Sequence, residues 1–245
     1  KPMDFLLKKF SIVTCLFISS LIFSEEWKIS PSATAQDDIQ SAMILAQEGD
    51  TISLAAGIYN LNHGLSLDVD NITLKGEGHK KTILNFSEQK TGAQGLLVTS
   101  NNITLKDFAV ENAKGDAIKS KGSKNIKFLN LRTEWTNGPD TKNGAYGLYP
   151  VESENVLIDG CIAIGASDAG VYVGQSENII VRNTEAYFNV AGIEIENSYY
   201  ADVYDNVAKN NTAGILVFDL PDLPKQGGKF VRAVSYTHLR AHETP

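Results

Sequence analysis

Two carboxylates, Glu194 and Glu196, stand two residues apart in the alternating run Gly192-Ile193-Glu194-Ile195-Glu196. In an extended strand, residues two apart share a face. Paired carboxylates can work as general acid and base, or hold a divalent cation. A cation needs several oxygen ligands, and only Asp168 and Asp140 are available to supplement the pair. The competing reading is a solvated acidic face on a chain of net charge −7. Asp168 follows Ser167 just before Gly170, where turn geometry alone accounts for an Asp. Glu194, Glu196 and Asp168 are thus the candidate catalytic residues. No metal site and no cofactor is expected.

The same spacing argument extends the face. Lys119, Tyr149, Tyr172, Glu194 and Leu216 fall in one row, and Lys121, Val151, Gly174, Glu196 and Phe218 in the next. A row mixing Tyr, Lys and carboxylates suits a polysaccharide: rings stack on aromatics, and polar groups take hydroxyls. Lys119, Tyr149, Tyr172 and Glu194 are the candidate substrate-binding residues. The alternative is a solvated sheet face with Tyr chosen for strand propensity.

These rows exist because the chain repeats. Asn71-Ile72-Thr73-Leu74 returns as Asn102-Ile103-Thr104-Leu105, Asn125-Ile126-Lys127-Phe128, Asn155-Val156-Leu157-Ile158 and Asn178-Ile179-Ile180-Val181, with a degenerate copy at Ala201. The spacings are 31, 23, 30, 23 and 23 residues. Gly147-Leu148-Tyr149, Gly170-Val171-Tyr172, Gly192-Ile193-Glu194 and Gly214-Ile215-Leu216 keep step at 23, 22 and 22. Each copy holds short alternating runs bounded by Gly, Asn, Asp and Ser, the pattern of strands with one buried face. A unit this short closes no core alone. Stacked at the strand separation of about 4.8 Å, the copies satisfy one another's backbones. The fold class is therefore all-β, a parallel β-helix. Leu148, Val171, Ile193 and Ile215 form one inward column, Pro150, Val173, Ile195 and Val217 another, and Ile103, Ile126, Val156 and Ile179 a third. The longer spacings are loop insertions, and the one over 137–143 is expected to overhang the row face. The Asn column (Asn102, Asn125, Asn155, Asn178) and the Ser two residues before each Asn are read as structural ladders.

Asp37 to Gln47 is amphipathic. It precedes Glu48-Gly49-Asp50-Thr51-Ile52-Ser53-Leu54, Ala55-Ala56-Gly57-Ile58-Tyr59 and Ile72-Thr73-Leu74-Lys75-Gly76-Glu77-Gly78. This resembles the N-terminal cap and first coils of the pectate-lyase-like superfamily of right-handed β-helices. The resemblance implies a right-handed solenoid with a capping helix over the first rung. More closely, Asn143-Gly144-Ala145-Tyr146-Gly147-Leu148-Tyr149-Pro150, Gly165-Ala166-Ser167-Asp168-Ala169-Gly170 and Phe218-Asp219-Leu220-Pro221 resemble a group of exported bacterial parallel β-helix repeat proteins without an agreed reaction. That resemblance implies a second exported protein as partner. In the similar mannuronan epimerases the corresponding coil carries Tyr-Gly-x-Asp-Pro-His. Here Tyr149 stands for the Asp and Val151 for the His, which argues against epimerase chemistry. Arg182 could stand for the catalytic base of pectate lyases, but a strand-end Arg is the simpler reading.

At the N-terminus, Lys8-Lys9 precede an uncharged apolar run from Phe10 to Phe23, the pattern of a secretory signal. We expect a signal over 1–24 (reaching to 35 if Ala33-Thr34-Ala35 is the cleavage site), a cap over 25–60 and the β-helix over 61–233. Residues 234–245 fit no coil and resemble translated sequencing-adapter read-through. His238 and His242 have the i,i+4 spacing of a metal pair but no third ligand. Cys15 and Cys161 are far apart, and cleavage would leave one thiol. The acidic charge and lack of a basic stripe exclude nucleic-acid binding. After signal cleavage no membrane span remains, so the protein is expected in the periplasm or medium. The functions expected are engagement of a polysaccharide or docking of a second exported protein, with a lyase or epimerase on acidic glycans as the alternative.

Overall fold

The computed structural model describes residues 24–240. The expected signal over 1–24, with Cys15, and the ring of His242 fall outside them, Ser24 excepted. The repeat winds into stacked coils, each contributing one strand to each of three faces. Seven parallel strands form the face carrying the predicted rows: His63–Leu67, Thr91–Val98, Asp116–Lys121, Tyr146–Val151, Ala169–Gly174, Ala191–Glu196 and Ala213–Phe218. The other two faces are joined through the strand Tyr199–Asn211, which pairs with Glu177–Arg182 at one end and Glu185–Tyr187 at the other.

The predicted register holds. Ile118 pairs with Leu148, Leu148 with Val171, Val171 with Ile193 and Ile193 with Ile215. All of these except Ile215, on the last rung of its face, are fully buried. Ile126, Val156 and Ile179 stack likewise on a second face. Each such side chain contributes about 1.5–3 kcal/mol by leaving water.

Corners set where the strands turn. Asn102, Asn125, Asn155 and Asn178 have φ of 57°, 57°, 56° and 56°, the left-handed region that Asn tolerates. Each amide donates to the Asn of the preceding coil, at 2.7, 2.9 and 3.2 Å from Asn125 onward. One step inside, the Ser153 and Ser176 amides donate to the hydroxyls of Ser176 and Ser198 at 3.0 and 3.1 Å. Both columns are ladders, as read from the sequence.

The helix runs Ala35–Leu45, two residues earlier at each end than expected, and lays Ala35, Ile39, Ala42 and Met43 on the first coil. Its end is set by Asp50. That carboxylate accepts from the amides of Gln47 (2.9 Å) and Glu25 (2.7 Å) and from the Trp27 indole (3.1 Å). Burial raises its pKa, but these three donors outweigh burial and hold it below the usual range. The strands of the cap, Thr51–Leu54 and Gly57–Asn60, already belong to the ladder, pairing with Thr73–Lys75 and Thr82–Asn85. At the other end, residues 234–240 do not leave the coil. Lys229–Arg240 is one strand, parallel to Tyr199–Asn211. Backbone pairing carries it, for Val234 and Tyr236 are exposed.

Candidate functional site

The row face brings the predicted residues together. Lys119 pairs with Tyr149, Tyr172 with Glu194 and Glu194 with Leu216. Lys121 pairs with Val151, Val151 with Gly174, Gly174 with Glu196 and Glu196 with Phe218. Both rows are as predicted. The expected open platform is not. Tyr172 and Glu194 are each 7 % exposed and Glu196 only 4 %.

Small residues explain this closure. Tyr146 pairs with Ala169, and Ala169 with Ala191, so no bulk opposes a ring leaning along the sheet. The Tyr146 ring lies 4.6 Å from Tyr172 at 30°, and Tyr149 lies 4.6 Å from Tyr146 and 5.0 Å from Tyr172, edge-on. Gly174 clears the space for Tyr172: a Cβ there would stand 2.5 Å from a ring carbon and 2.8 Å from the hydroxyl oxygen. The Tyr172 hydroxyl thereby donates to the Glu196 carboxylate. Burial and this carboxylate push the Tyr172 pKa up, so it remains a hydroxyl donor.

Carboxylates surround the rings. Asp116 lies beside Lys119 at 4.0 Å, and its pKa is raised by burial against the pull of that lysine. The Lys119 ammonium sits 4.3 Å from the Tyr149 ring centroid, a cation–π contact. Burial, then Asp168, then Glu196 push Glu194 up to about 7. Among the described residues Glu194 has no hydrogen-bonding partner, though its oxygens still reach solvent, whereas Glu196 has Tyr172. A carboxyl group poised near neutral pH can give or take a proton. The four carboxylates are not arranged as a ligand set. Among the described residues no group of three or more His, Cys, Asp or Glu could hold a metal ion.

The insertion over 137–143 stands at the corner before the row face, not over the rows. The Asn143 amide ties it down, donating to the Gly138 and Gly165 carbonyls at 2.9 and 2.7 Å. One flank walls a groove of about 360 Å³ with Pro139, Asp140, Ser167, Phe188, Asn210 and Thr212 among its lining. Phe188 is 46 % exposed and has φ of 57°. At the same corner Gly165 and Asn210 take left-handed conformations that suit them. The sequence reading missed Phe188. Its signal was an aromatic in a column of Gly and Asn. Ser167 lines this groove, and Asp168 beside it faces Glu194 and Tyr146, so the groove adjoins the cluster.

Other candidates fall elsewhere. Arg182 pairs with Asp159 at 2.7 Å and donates to the Tyr204 hydroxyl, bracing neighbouring coils on another face. His63 and His79 lie in the first coils, and His238 lies in the last strand. No helix of the described residues is long and apolar enough to cross a membrane.

Comparison with known proteins agrees with this architecture. No curated protein matches the chain. Among solved structures it is similar to a pectate lyase (TM-score 0.56, 16 % identity, covering 79 % of this chain and 68 % of that one). It is also similar to the A-module of a mannuronan C-5 epimerase from Azotobacter vinelandii (TM-score 0.50, 18 % identity, 71 % of this chain and 56 % of that one). A third is an N-terminal fragment of a bacteriophage phi29 gene product (TM-score 0.60, 16 % identity, 86 % of this chain and 42 % of that one). At these identities the likeness is one of fold, shared by polysaccharide lyases, epimerases and a phage protein alike. The family described as a right handed beta helix region matches residues 70–222, more than half of the sequence. The parallel coils and that match together place the chain in the right-handed β-helix family.

Proposed function

We propose that the protein is an exported glycan-engaging β-helix, binding a polysaccharide across the Phe188 groove and the adjoining Tyr146–Tyr149–Tyr172 cluster. One observation carries the reading: an aromatic ring held exposed in a left-handed conformation at the wall of a groove that also offers Asp140, Ser167, Asn210 and Thr212. A left-handed backbone costs a non-glycine residue about 1–2 kcal/mol. A bare apolar ring at that price has a natural use as a platform for a sugar face, with amides and hydroxyls taking the sugar's oxygens. The pectate lyase and mannuronan epimerase of similar fold act on polysaccharides, as their names state. The test is a glycan array with the protein and its Phe188→Ala variant. Binding to at least one polymer, weakened about tenfold or more in the variant without loss of folding, is expected. No binding across neutral, acidic and amino-bearing polymers would sink the reading.

Glu194 favours a second reading, a lyase or epimerase on acidic glycans. A base near neutral pH could take the proton from the carbon beside a uronate carboxyl. Loss of the linked oxygen from the next carbon would complete a lyase reaction, and return of a proton to the opposite face an epimerisation. Asp116, Asp168 and Glu196 oppose a polyanion at this point, which places the reading second. Absorbance of an unsaturated product, or exchange of the sugar proton by NMR, tests it. An unchanged rate in Glu194→Gln would remove the role.

A further inference from the structure

The insertion over 137–143 has a second flank. It walls another groove, of about 530 Å³, over a floor of Phe86 and Trp135. Internal bonds hold that floor still. The Trp135 indole donates to the Ala113 carbonyl at 2.8 Å, and the Gln89 amide donates to the Thr91 and Gln94 carbonyls at 3.1 and 2.8 Å. The rim carries Lys114 and Lys142, with Ser87 and Asn137 adding a hydroxyl and an amide, all four exposed. No acid lines this groove, on a chain of net charge −7. Each lysine is fixed through its backbone: the Lys114 amide donates to Gln89 Oε1 at 2.8 Å and the Lys142 amide to the Asp140 carboxylate at 2.9 Å. Among the described residues neither ammonium group forms an ion pair. The neighbouring acids are engaged elsewhere. Asp116 lies beside Lys119 at 4.0 Å, and Asp140 lines the Phe188 groove. Two unpaired cations at one concave site make a positive potential that draws an anion.

We propose that this second groove seats a tetrahedral oxyanion ester carried on the glycan, a sulfate or a phosphate, against the ammonium groups of Lys114 and Lys142. The inference rests on the glycan reading above and names the charged substituent of that sugar. It makes the insertion a divide between a ring-stacking groove and an anion-holding one. Each ammonium is a compact charge with three donors, which suits an oxyanion whose oxygens point several ways. A planar carboxylate is better met by the paired donors of an arginine, and no arginine lines the groove. Ser87 and Asn137 supply further donors at the rim.

The experiment is calorimetric titration of the protein near neutral pH with sulfated galactan oligomers and phosphorylated mannan oligomers, each beside its neutral counterpart, and with oligogalacturonate. The ester should tighten binding about tenfold or more over the neutral oligomer, and the pair showing the larger gain identifies sulfate or phosphate. Lys114→Gln and Lys142→Gln should each remove most of that gain. Lys127→Gln, at an exposed lysine on the second face, should leave it intact. Phe188→Ala should weaken charged and neutral oligomers alike. Equal affinity for charged and neutral oligomers would overturn the oxyanion proposal while leaving glycan binding intact. So would a gain that survives both groove variants, an equal loss in Lys127→Gln, or tightest binding of oligogalacturonate. Failure of every oligomer would instead overturn the underlying glycan reading, and the proposal with it.

Discussion

Replacing Glu194 by Gln should stabilise the protein at alkaline pH and much less in mild acid. The ordinary glutamate pKa is 4.5, and in the fold it stands at about 7, through burial, Asp168 and Glu196. Each unit is worth about 1.4 kcal/mol, which bounds the penalty at about 3 kcal/mol. Solvent at the cluster's edge screens part of this, leaving about 2 kcal/mol. The sign follows from linkage. The folded pKa of an acid lies above its unfolded value, so folding disfavours the charged form. Below the unfolded value both states are protonated and no penalty exists. As pH rises from about 4.5 to about 7 the penalty grows, and above that it is complete. Glutamine keeps the shape without the charge. Denaturant midpoints by circular dichroism, taken at about pH 5 and about pH 8, measure the difference. The variant should exceed the parent by about 2 kcal/mol at the higher pH and by much less at the lower. An equal difference at both, or a less stable variant at the higher pH, would refute the electrostatic reasoning.

Other outcomes follow from the same geometry. Gly174→Ala would set a methyl group 2.5 Å from the Tyr172 ring. Displacing the ring from Glu196 should cost about 1–3 kcal/mol, read as a lower denaturant midpoint. Phe188→Asn places a residue suited to φ of 57° at the groove wall. It should gain about 0.5–1 kcal/mol in stability while weakening glycan binding, so the two assays should move in opposite directions. The Cys161 thiol is fully buried and burial pushes it up to about 12. It should resist alkylation in the native state and react at once in denaturant, as mass spectrometry would show.

The sequence made the rows legible because a period of two within strands and of 22 or 23 between coils leaves little freedom. Tyr149, Tyr172 and Glu194 had to align once Leu148, Val171 and Ile193 did. Burial of that row was harder to read. It depends on which way long side chains lean, and that is decided by what neighbouring coils leave out: the Cβ at Gly174 and bulk at Ala169 and Ala191. The Ala column beside Tyr146 was a visible but unread signal. Phe188 went unnoticed because turns were read for Gly and Asn, not for the residue breaking the pattern. The last strand was missed because Ser235-Tyr236-Thr237 buries nothing and is held through its backbone.

The insertion before Tyr146 adds several residues to one coil, yet Ile118 still meets Leu148 and Ser123 still lies beneath Glu154. The rungs therefore behave like marks on a ruler whose spacing is indifferent to what hangs from one corner. Evolution can rewrite that corner, or splice in a whole extra turn, without disturbing the alignment of side chains on the opposite faces. A change of ligand then needs only new trimmings at the edge, while the shaft that carries them is copied unchanged.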